Sequence, residues 1–167
     1  MTKQKIISSL GLKPHPSEGG YFKRTYTSKI ETSSDSGTRK TLSCIYYMLT
    51  NDSPTGYLHR NKSDIIHYFH SGSPISYLII HPDGHLETQI LGNDLTKGHN
   101  PQLTVNGGCW KASKLTEGEY SLLSEAVSPG FEYEDMELAR PSTIKQHYPG
   151  LFESIQPYIK PQTIKLD

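Results

Sequence analysis

Between Lys40 and Gly130 the sequence is cut at roughly ten-residue intervals by Gly, Pro or Asn-Gly turn chemistry, and β-branched and aromatic residues fill the gaps. Short strands at that spacing are the mark of a β-sandwich or barrel. Thr41–Thr50 carries Ile45, Tyr46 and Tyr47; Ile65–His70 and Ile75–Ile80 follow, each closed by Gly or Pro. In Pro82-Asp83-Gly84 the proline fixes φ and the glycine accepts a positive φ, so Ser76–Ile80 and Leu86–Leu91 should form a hairpin. Gln102–Val105 and Cys109–Leu115 flank Asn106-Gly107-Gly108, which reads as another tight turn. Tyr120–Val127 ends at Pro129-Gly130. Helical periodicity is confined to the ends. Residues 3–10 place Ile6, Ile7 and Leu10 on one face and stop at Gly11. Ser142–His147 and Leu151–Ile159 read as two short closing helices. Residues 31–38 contain no apolar side chain and read as a mobile surface loop. The expectation is one all-β domain over 1–167, with a barrel over about 20–138 and C-terminal helices over about 141–159.

Composition narrows the function classes. Lys+Arg 17 balances Asp+Glu 17, so the chain lacks the broad basic surface that neutralises nucleic-acid phosphates. No apolar run approaches the roughly 18–20 residues that span a bilayer, and the first ten residues lack a signal-peptide apolar stretch. Cys44 and Cys109 show neither metal-type spacing nor a disulfide-rich context. A soluble, reduced, cytoplasmic protein is expected, with no nucleic-acid or membrane partner.

Five segments together carry a family resemblance: Leu10-Gly-Leu-Lys-Pro-His-Pro-Ser-Glu-Gly-Gly-Tyr-Phe22, Arg24-Thr-Tyr26, Ile45-Tyr-Tyr-Met-Leu49, His59-Arg60 followed by Ser63-Asp64, and Pro129-Gly-Phe131. In that order they resemble the small cupins of the DUF985 (Cupin_5) group, within the RmlC-like cupin superfamily, over residues 10–149. The resemblance implies a cupin double-stranded β-helix, or jelly roll, with short N- and C-terminal helices, usually as a homodimer. It is also similar to sugar-nucleotide epimerases and seed storage cupins. A fold by itself names no reaction.

The resemblance also supplies a ligand pattern. The first cupin motif, Gly-x5-His-x-His-x3,4-Glu-x6-Gly, aligns His59, Asn61, Ile65 and Gly72 with its two His, its Glu and its closing Gly. The second, Gly-x5-Pro-x-Gly-x2-His, falls on Asn106-Gly107-Gly108-Cys109-Trp110-Lys111. One of four expected metal ligands survives. Isoleucine donates nothing, and an ammonium must lose its proton before it can ligate. No metal and no other cofactor is expected.

Strand alternation then suggests what occupies the interior. Residues two apart share a face, so His59 goes with Asn61, and Ile65 with His67 and Phe69. With the ligand positions turned inward, His59, Asn61 and His67 should line one interior wall, and Lys111 should approach from the wall opposite. Lys111 at the rim, with its head in water, is the competing placement. Glu125, set among apolar neighbours in Leu122-Leu-Ser-Glu-Ala-Val127, is the carboxylate expected to be buried. It either orients an imidazole or makes a structural hydrogen bond. Arg24 and Arg60 either grip an anionic group or form salt bridges to Glu18 and Asp135. Tyr47 and Phe69 are read as pocket wall, Trp110 as packing, and His15, His70, His81, His85, His99 and His147 as surface or loop residues.

A cavity of this kind suits a small polar or anionic molecule. The reading is a small-molecule-binding cupin, with isomerase- or epimerase-like activity on a sugar-like or carbonyl substrate. His59, His67 and Glu125 are the catalytic candidates; Asn61, Phe69, Lys111, Tyr47 and Arg60 are the ligand-binding ones. A non-catalytic metabolite-binding module and a metal-dependent oxygenase using His59, His67 and Glu125 are the alternatives.

Overall fold

A computed structural model describes residues 2–35 and 37–161. Helix α1 (Lys3–Leu10) begins at Thr2, whose side chain accepts from the Lys5 amide, and ends at Gly11 in the left-handed region, whose N–H returns to the Ile7 and Ser8 carbonyls. Thirteen strands follow: β1 (Lys13–Pro14), β2 (Tyr21–Thr27), β3 (Glu31–Ser34), β4 (Gly37–Lys40), β5 (Ser43–Thr50), β6 (Thr55–Asn61), β7 (Asp64–Gly72), β8 (Ile75–Ile80), β9 (Leu86–Leu91), β10 (Gln102–Val105), β11 (Trp110–Leu115), β12 (Tyr120–Ser128) and β13 (Met136–Leu138). Eleven of them form two antiparallel sheets, ordered β1-β2-β5-β12-β7-β10 and β13-β6-β11-β8-β9. The jelly roll expected from the sequence is the observed architecture, and β8 pairs with β9 across Pro82–Gly84 as a hairpin.

Apolar burial is spread over three clusters. Between the sheets lie Tyr47, Leu49, Ile75, Tyr77, Ile79, Leu103 and Leu123. On the outer face of the five-stranded sheet, Leu58, Ile80 and Trp110 are covered by Ile144 and Ile155. These come from α2 (Pro141–His147) and α3 (Phe152–Ile155), where Leu151–Ile159 turns out to be one short α-helix flanked by 3-10 turns. On the outer face of the six-stranded sheet, Ile6 of α1 packs with Leu12 and Met48.

Two sequence expectations need correction. Residues 31–38 are not a loop: β3 and β4 pair as a small hairpin of their own. Its polar strands carry no hydrophobic alternation and so gave no period-2 signal. Side-chain contacts hold it instead, with Lys40 bonded to Glu31 and Arg39 to Asp135 at 2.6 Å. Second, Asn106–Gly108 is a corner and not a hairpin turn. β10 pairs with β7 in one sheet, while β11 pairs with β6 and β8 in the other. The corner is pressed against a second one, between β6 and β7. Gly107 donates to the Asp64 carboxylate and Gly108 to the Asn61 carbonyl, both at 2.8 Å. A Cβ on Gly107 would lie 2.0 Å from the Lys62 carbonyl oxygen, so glycine is required there.

Ile144 is fully buried beneath the five-stranded sheet. Ile144→Ala should cost about 2–4 kcal/mol of unfolding free energy. Urea titration of the two proteins checks this, and a loss under about 0.5 kcal/mol would show that the helical cover contributes little.

Candidate functional site

Two walls and one loop converge inside the barrel. The five-stranded sheet supplies His59 and Asn61 from β6 and Lys111 from β11, with Lys111 directly opposite His59 in the register. The six-stranded sheet supplies His67 from β7 and Glu125 from β12, again a directly opposed pair. The loop before β2 inserts His15 and Glu18. Gly19 and Gly20 follow at φ 83° and 68°, and a Cβ on Gly19 would lie 2.3 Å from the Thr55 carbonyl oxygen. This tight glycine passage sets Glu18 against His59.

The sequence expectation for the walls is therefore wrong for both His67 and Lys111. His59, Asn61 and Lys111 share a wall, and His67 faces them from the other sheet. The chain changes sheets at Lys62–Ser63, so β6 and β7 are not neighbours and alternation cannot be carried across that corner. Lys111 is 4% exposed, which excludes the rim placement.

Hydrogen-bond chemistry assigns the protons. Lys111 Nζ lies 3.2 Å from His67 Nε2, and an ammonium only donates, so Nε2 accepts. The imidazole proton is then on Nδ1, 3.1 Å from Glu125 Oε1 and 3.2 Å from the Tyr77 hydroxyl. Lys111 Nζ is also 3.7 Å from Glu125 Oε1. His59 is arranged differently. Its Nδ1 is 2.7 Å from the Tyr57 carbonyl, which only accepts, so Nδ1 carries the proton and Nε2 a lone pair. That Nε2 is buried without a hydrogen-bond partner, 3.4 Å from Glu18 Oε2. Asn61 Oδ1 is likewise buried and unpartnered. His15 Nδ1 accepts from the Glu18 amide at 2.9 Å, which turns its Nε2 toward Glu18 Oε1, 3.8 Å away.

Burial governs the titration of this group, and one cation modifies it. Burial lowers both His59 and His67 from 6.5 to about 4, with Lys111 adding to the effect. Burial raises Glu18 and lowers His15. Burial would raise Glu125 as well, but Lys111 and then His67 outweigh it and hold this carboxyl well below the usual range. Tyr47 and Tyr77 are pushed well above 10 by burial.

The cavity is small, about 30 Å³ in volume. Arg24, Phe131 and Tyr133 stand at the mouth. A smaller inner chamber is lined by Glu18, Tyr47, His59, Tyr77, Lys111 and Glu125. It has room for about one water.

Several other expectations are revised. Arg60 lines neither chamber of the barrel: it points away from them, pairs with Glu137 at 2.8 Å and lies over the Trp110 ring at 4.8 Å. On β6 it alternates with His59 and Asn61, so an inward His59 forces it out. Phe69 packs against the apolar cluster between the sheets and lines neither cavity, because the bulk of that end is already filled with side chains. Neither arginine makes the expected salt bridge. Arg24 lies 5.8 Å over the Phe131 ring, and Asp135 is taken by Arg39. Trp110 is core, as read. Tyr47 lines the inner chamber and donates to the Gly19 carbonyl at 3.0 Å. His15 is a cavity residue and not a surface one. It and Glu18 were missed because they lie on an aperiodic loop; the one available signal was the Ser-Glu-Gly-Gly run feeding β2.

Comparison with known proteins matches this geometry to a family. The cupin superfamily group DUF985 (Cupin_5) matches residues 4–139. The chain belongs to that family. An uncharacterized protein of Saccharomyces cerevisiae is 39% identical, with 79% of this chain and 72% of the yeast protein covered. Two solved structures are close in fold. A hypothetical protein from Leishmania major has TM-score 0.90 at 29% identity, covering 96% of this chain and all of that one. A Shewanella oneidensis protein has TM-score 0.87 at 32% identity, covering 97% and 99%. Oxalate decarboxylase from Bacillus subtilis, at TM-score 0.57 and 15% identity over 42% of its chain, shares the fold alone.

The cupin ligand pattern does not fit a metal here. Ile65 has no donor atom, and Lys111 offers an ammonium where the pattern has an imidazole. Among the described residues no group of three or more His, Cys, Asp or Glu is arranged to hold an ion. The oxygenase set of His59, His67 and Glu125 fails for the same reason.

The imidazole shifts carry a stability consequence. His59 and His67 bind a proton near 6.5 when unfolded but only near 4 when folded. Unfolding therefore takes up protons between these values, and stability must fall as pH drops from about 6.5 to 4. Each imidazole contributes on the order of 3 kcal/mol. Glu18, raised on folding, works in the opposite direction above its unfolded value of 4.5. Urea unfolding at pH 7, 5.5 and 4.5 should show this loss, and His67→Gln should flatten it. A pH-independent midpoint in the wild type would mean that the imidazoles are not neutral inside the barrel.

Proposed function

We propose that the protein is a small-molecule-binding cupin that performs acid–base chemistry, of the isomerase or epimerase type, on a compact hydroxycarbonyl or sugar-like compound. The observation that carries this reading is the buried, unpartnered lone pair of His59 Nε2 beside the cavity. A buried acceptor without a partner costs about 1–3 kcal/mol, and Asn61 Oδ1 is a second. A ligand that offers hydroxyl donors to both, and an oxygen to Lys111, satisfies all three at once.

In such a complex His59 Nε2 takes the proton from the carbon next to the carbonyl. The electron pair of that C–H bond becomes a C=C bond to the carbonyl carbon as the C=O π pair moves onto the oxygen, whose growing charge faces Lys111. Glu18, whose carboxyl is raised by burial, is placed to return a proton. His67 has both nitrogens engaged within the protein, which supports a role in holding Lys111 and Glu125 in place. Arg24 and Tyr133 at the mouth are suited to the outer end of the ligand.

The test is exchange of the carbon-bound proton in D2O, followed by NMR, for a panel of trioses, tetroses and pentoses. Wild type should exchange at least one of them, and His59→Gln should slow that exchange by about 10²–10⁴-fold. Ligand-dependent thermal stabilisation without any exchange would favour a non-catalytic binding module. Neither exchange nor stabilisation would remove the proposal. The same reading has the protein working in the cytoplasm as a two-fold homodimer, an arrangement supported by the exposure of Tyr26 and Ile30 on one stretch of chain. Sedimentation at micromolar concentration should give a dimer; a monomer-sized species would count against it.

A further inference from the structure

The cavity that holds two orphaned acceptors also has a cation in its lining. His59 and Asn61 are 4% and 7% exposed, and His59 Nε2 and Asn61 Oδ1 have no hydrogen-bond partner. Apolar side chains, Phe22, Ile45, Ile65 and Val127, line the cavity beside them, and Arg24 is the one Arg or Lys among its lining residues. The strand sets the direction of Arg24. On β2, Lys23 reaches the Leu10 carbonyl at 2.9 Å, at the end of α1 on the outer face of the sheet. Alternation turns Phe22 and Arg24 the other way, and both line the cavity.

The guanidinium is held at the mouth without being neutralised. The Ser43 hydroxyl accepts from the Phe131 amide at 2.9 Å, and the Phe131 carbonyl accepts from Arg24 Nη2 at 3.4 Å. The Phe131 ring lies 5.8 Å from the guanidinium carbon. Among the described residues no carboxylate forms an ion pair with Arg24: Glu134 and Asp135 of the adjoining loop hold Arg39, and Glu125 faces Lys111. Most of the planar N–H fork is therefore open to a ligand, and that fork matches the two oxygens of a carboxylate or phosphate.

A solvated surface arginine would account for the exposure of Arg24. It would not account for two buried lone pairs in the same cavity, which only a bound donor can satisfy. A volume of about 30 Å³ admits a narrow polar end and little else. A ligand that reaches His59 and Asn61 must leave its other end at the mouth, where Arg24 stands.

We propose that the ligand of this barrel is an anion: a short hydroxylated chain whose inner end donates to His59 Nε2 and Asn61 Oδ1, and whose outer end carries a carboxylate or phosphate gripped by Arg24. The substrate class narrows to small sugar acids or sugar phosphates. This rests on the reading that the cavity binds a small molecule, and not on the acid–base step.

The experiment is calorimetric titration with two matched sets: glyceraldehyde, glycerate and glyceraldehyde 3-phosphate, and erythrose, erythronate and erythrose 4-phosphate. In at least one set an anionic member should bind wild type tenfold or more tighter than the neutral aldose. A preferred acid assigns a carboxylate, and a preferred phosphate assigns a phosphate ester. Arg24→Gln, at an exposed position outside the apolar clusters, should melt as wild type does and bring the set to within twofold. Arg24→Lys, which keeps the charge and loses the fork, should retain part of the preference. Asn61→Ala should weaken neutral and anionic members by the same factor. The proposal is overturned if the neutral aldose binds as tightly as both anions, if Arg24→Gln keeps the preference, or if none of the six compounds binds. The first two results leave small-molecule binding standing, whereas the third removes both readings.

Discussion

A buried ammonium and a buried carboxylate, 3.7 Å apart and bridged by an imidazole, join the two sheets of the barrel at its centre. Lys111 belongs to the five-stranded sheet; His67 and Glu125 belong to the six-stranded one. Each charge alone would be expensive to hold in this interior, and removing one partner of a buried pair leaves the other uncompensated. The three side chains thus form a unit that fixes the spacing of the walls and the protonation of their neighbours. Lys111 contributes to lowering both His59 and His67 and keeps Glu125 ionised against the effect of burial. Burial sets the cavity chemistry, and that one cation modifies it.

The rest of the fold makes such a centre affordable. Apolar burial between the sheets is concentrated at the end that holds Ile75, Leu91, Leu103 and Leu123, leaving the other end free for polar groups. The outer clusters under α1 and under the C-terminal helices add buried surface that the polar interior cannot provide. Where the chain passes from one sheet to the other, the Asn106–Gly108 corner locks onto the β6–β7 corner through Gly107 and Gly108. Those crossings bring His59, Lys111, His67 and Glu125 together although no single sheet carries all four.

The sequence exposed whatever has a local period or a local breaker. The stop of α1 at Gly11, the Pro82–Gly84 hairpin and the inward alternation of His59 with Asn61 all depend on residues within a few positions of one another. The burial of Glu125 was legible from its apolar neighbours. Which wall His67 occupies was not, because the turn at Lys62–Ser63 looks the same whether the next strand pairs with β6 or crosses over. Arg60 was misplaced although alternation alone, applied from His59, turns it outward; proximity to a family motif outweighed the geometry. The β3–β4 hairpin escaped because it covers no apolar layer, and its hold on the protein is the distant pair Arg39–Asp135. His15 and Glu18 escaped because a loop residue has no period, and only the backbone path through Gly19 and Gly20 shows where it points.

Glu18 and Glu125 show how one cavity gives two carboxyls opposite roles. Both are buried, and burial alone pushes each toward the protonated form. Glu125 lies within 4 Å of both Lys111 and His67 and stays an anion, whereas Glu18 has only neutral imidazoles at its two oxygens and is raised. Two titratable groups whose surroundings drive them apart are the usual means by which a site obtains an acid and a fixed charge from one residue type. Here the raised carboxyl is the one beside the bare Nε2 of His59. A proton can be held on either side of that 3.4 Å gap, while the anion is tied up with Lys111 at the far wall. Exchanging the two positions would place the anion against a lone pair and the acid against a cation, and neither arrangement could donate or accept across the cavity.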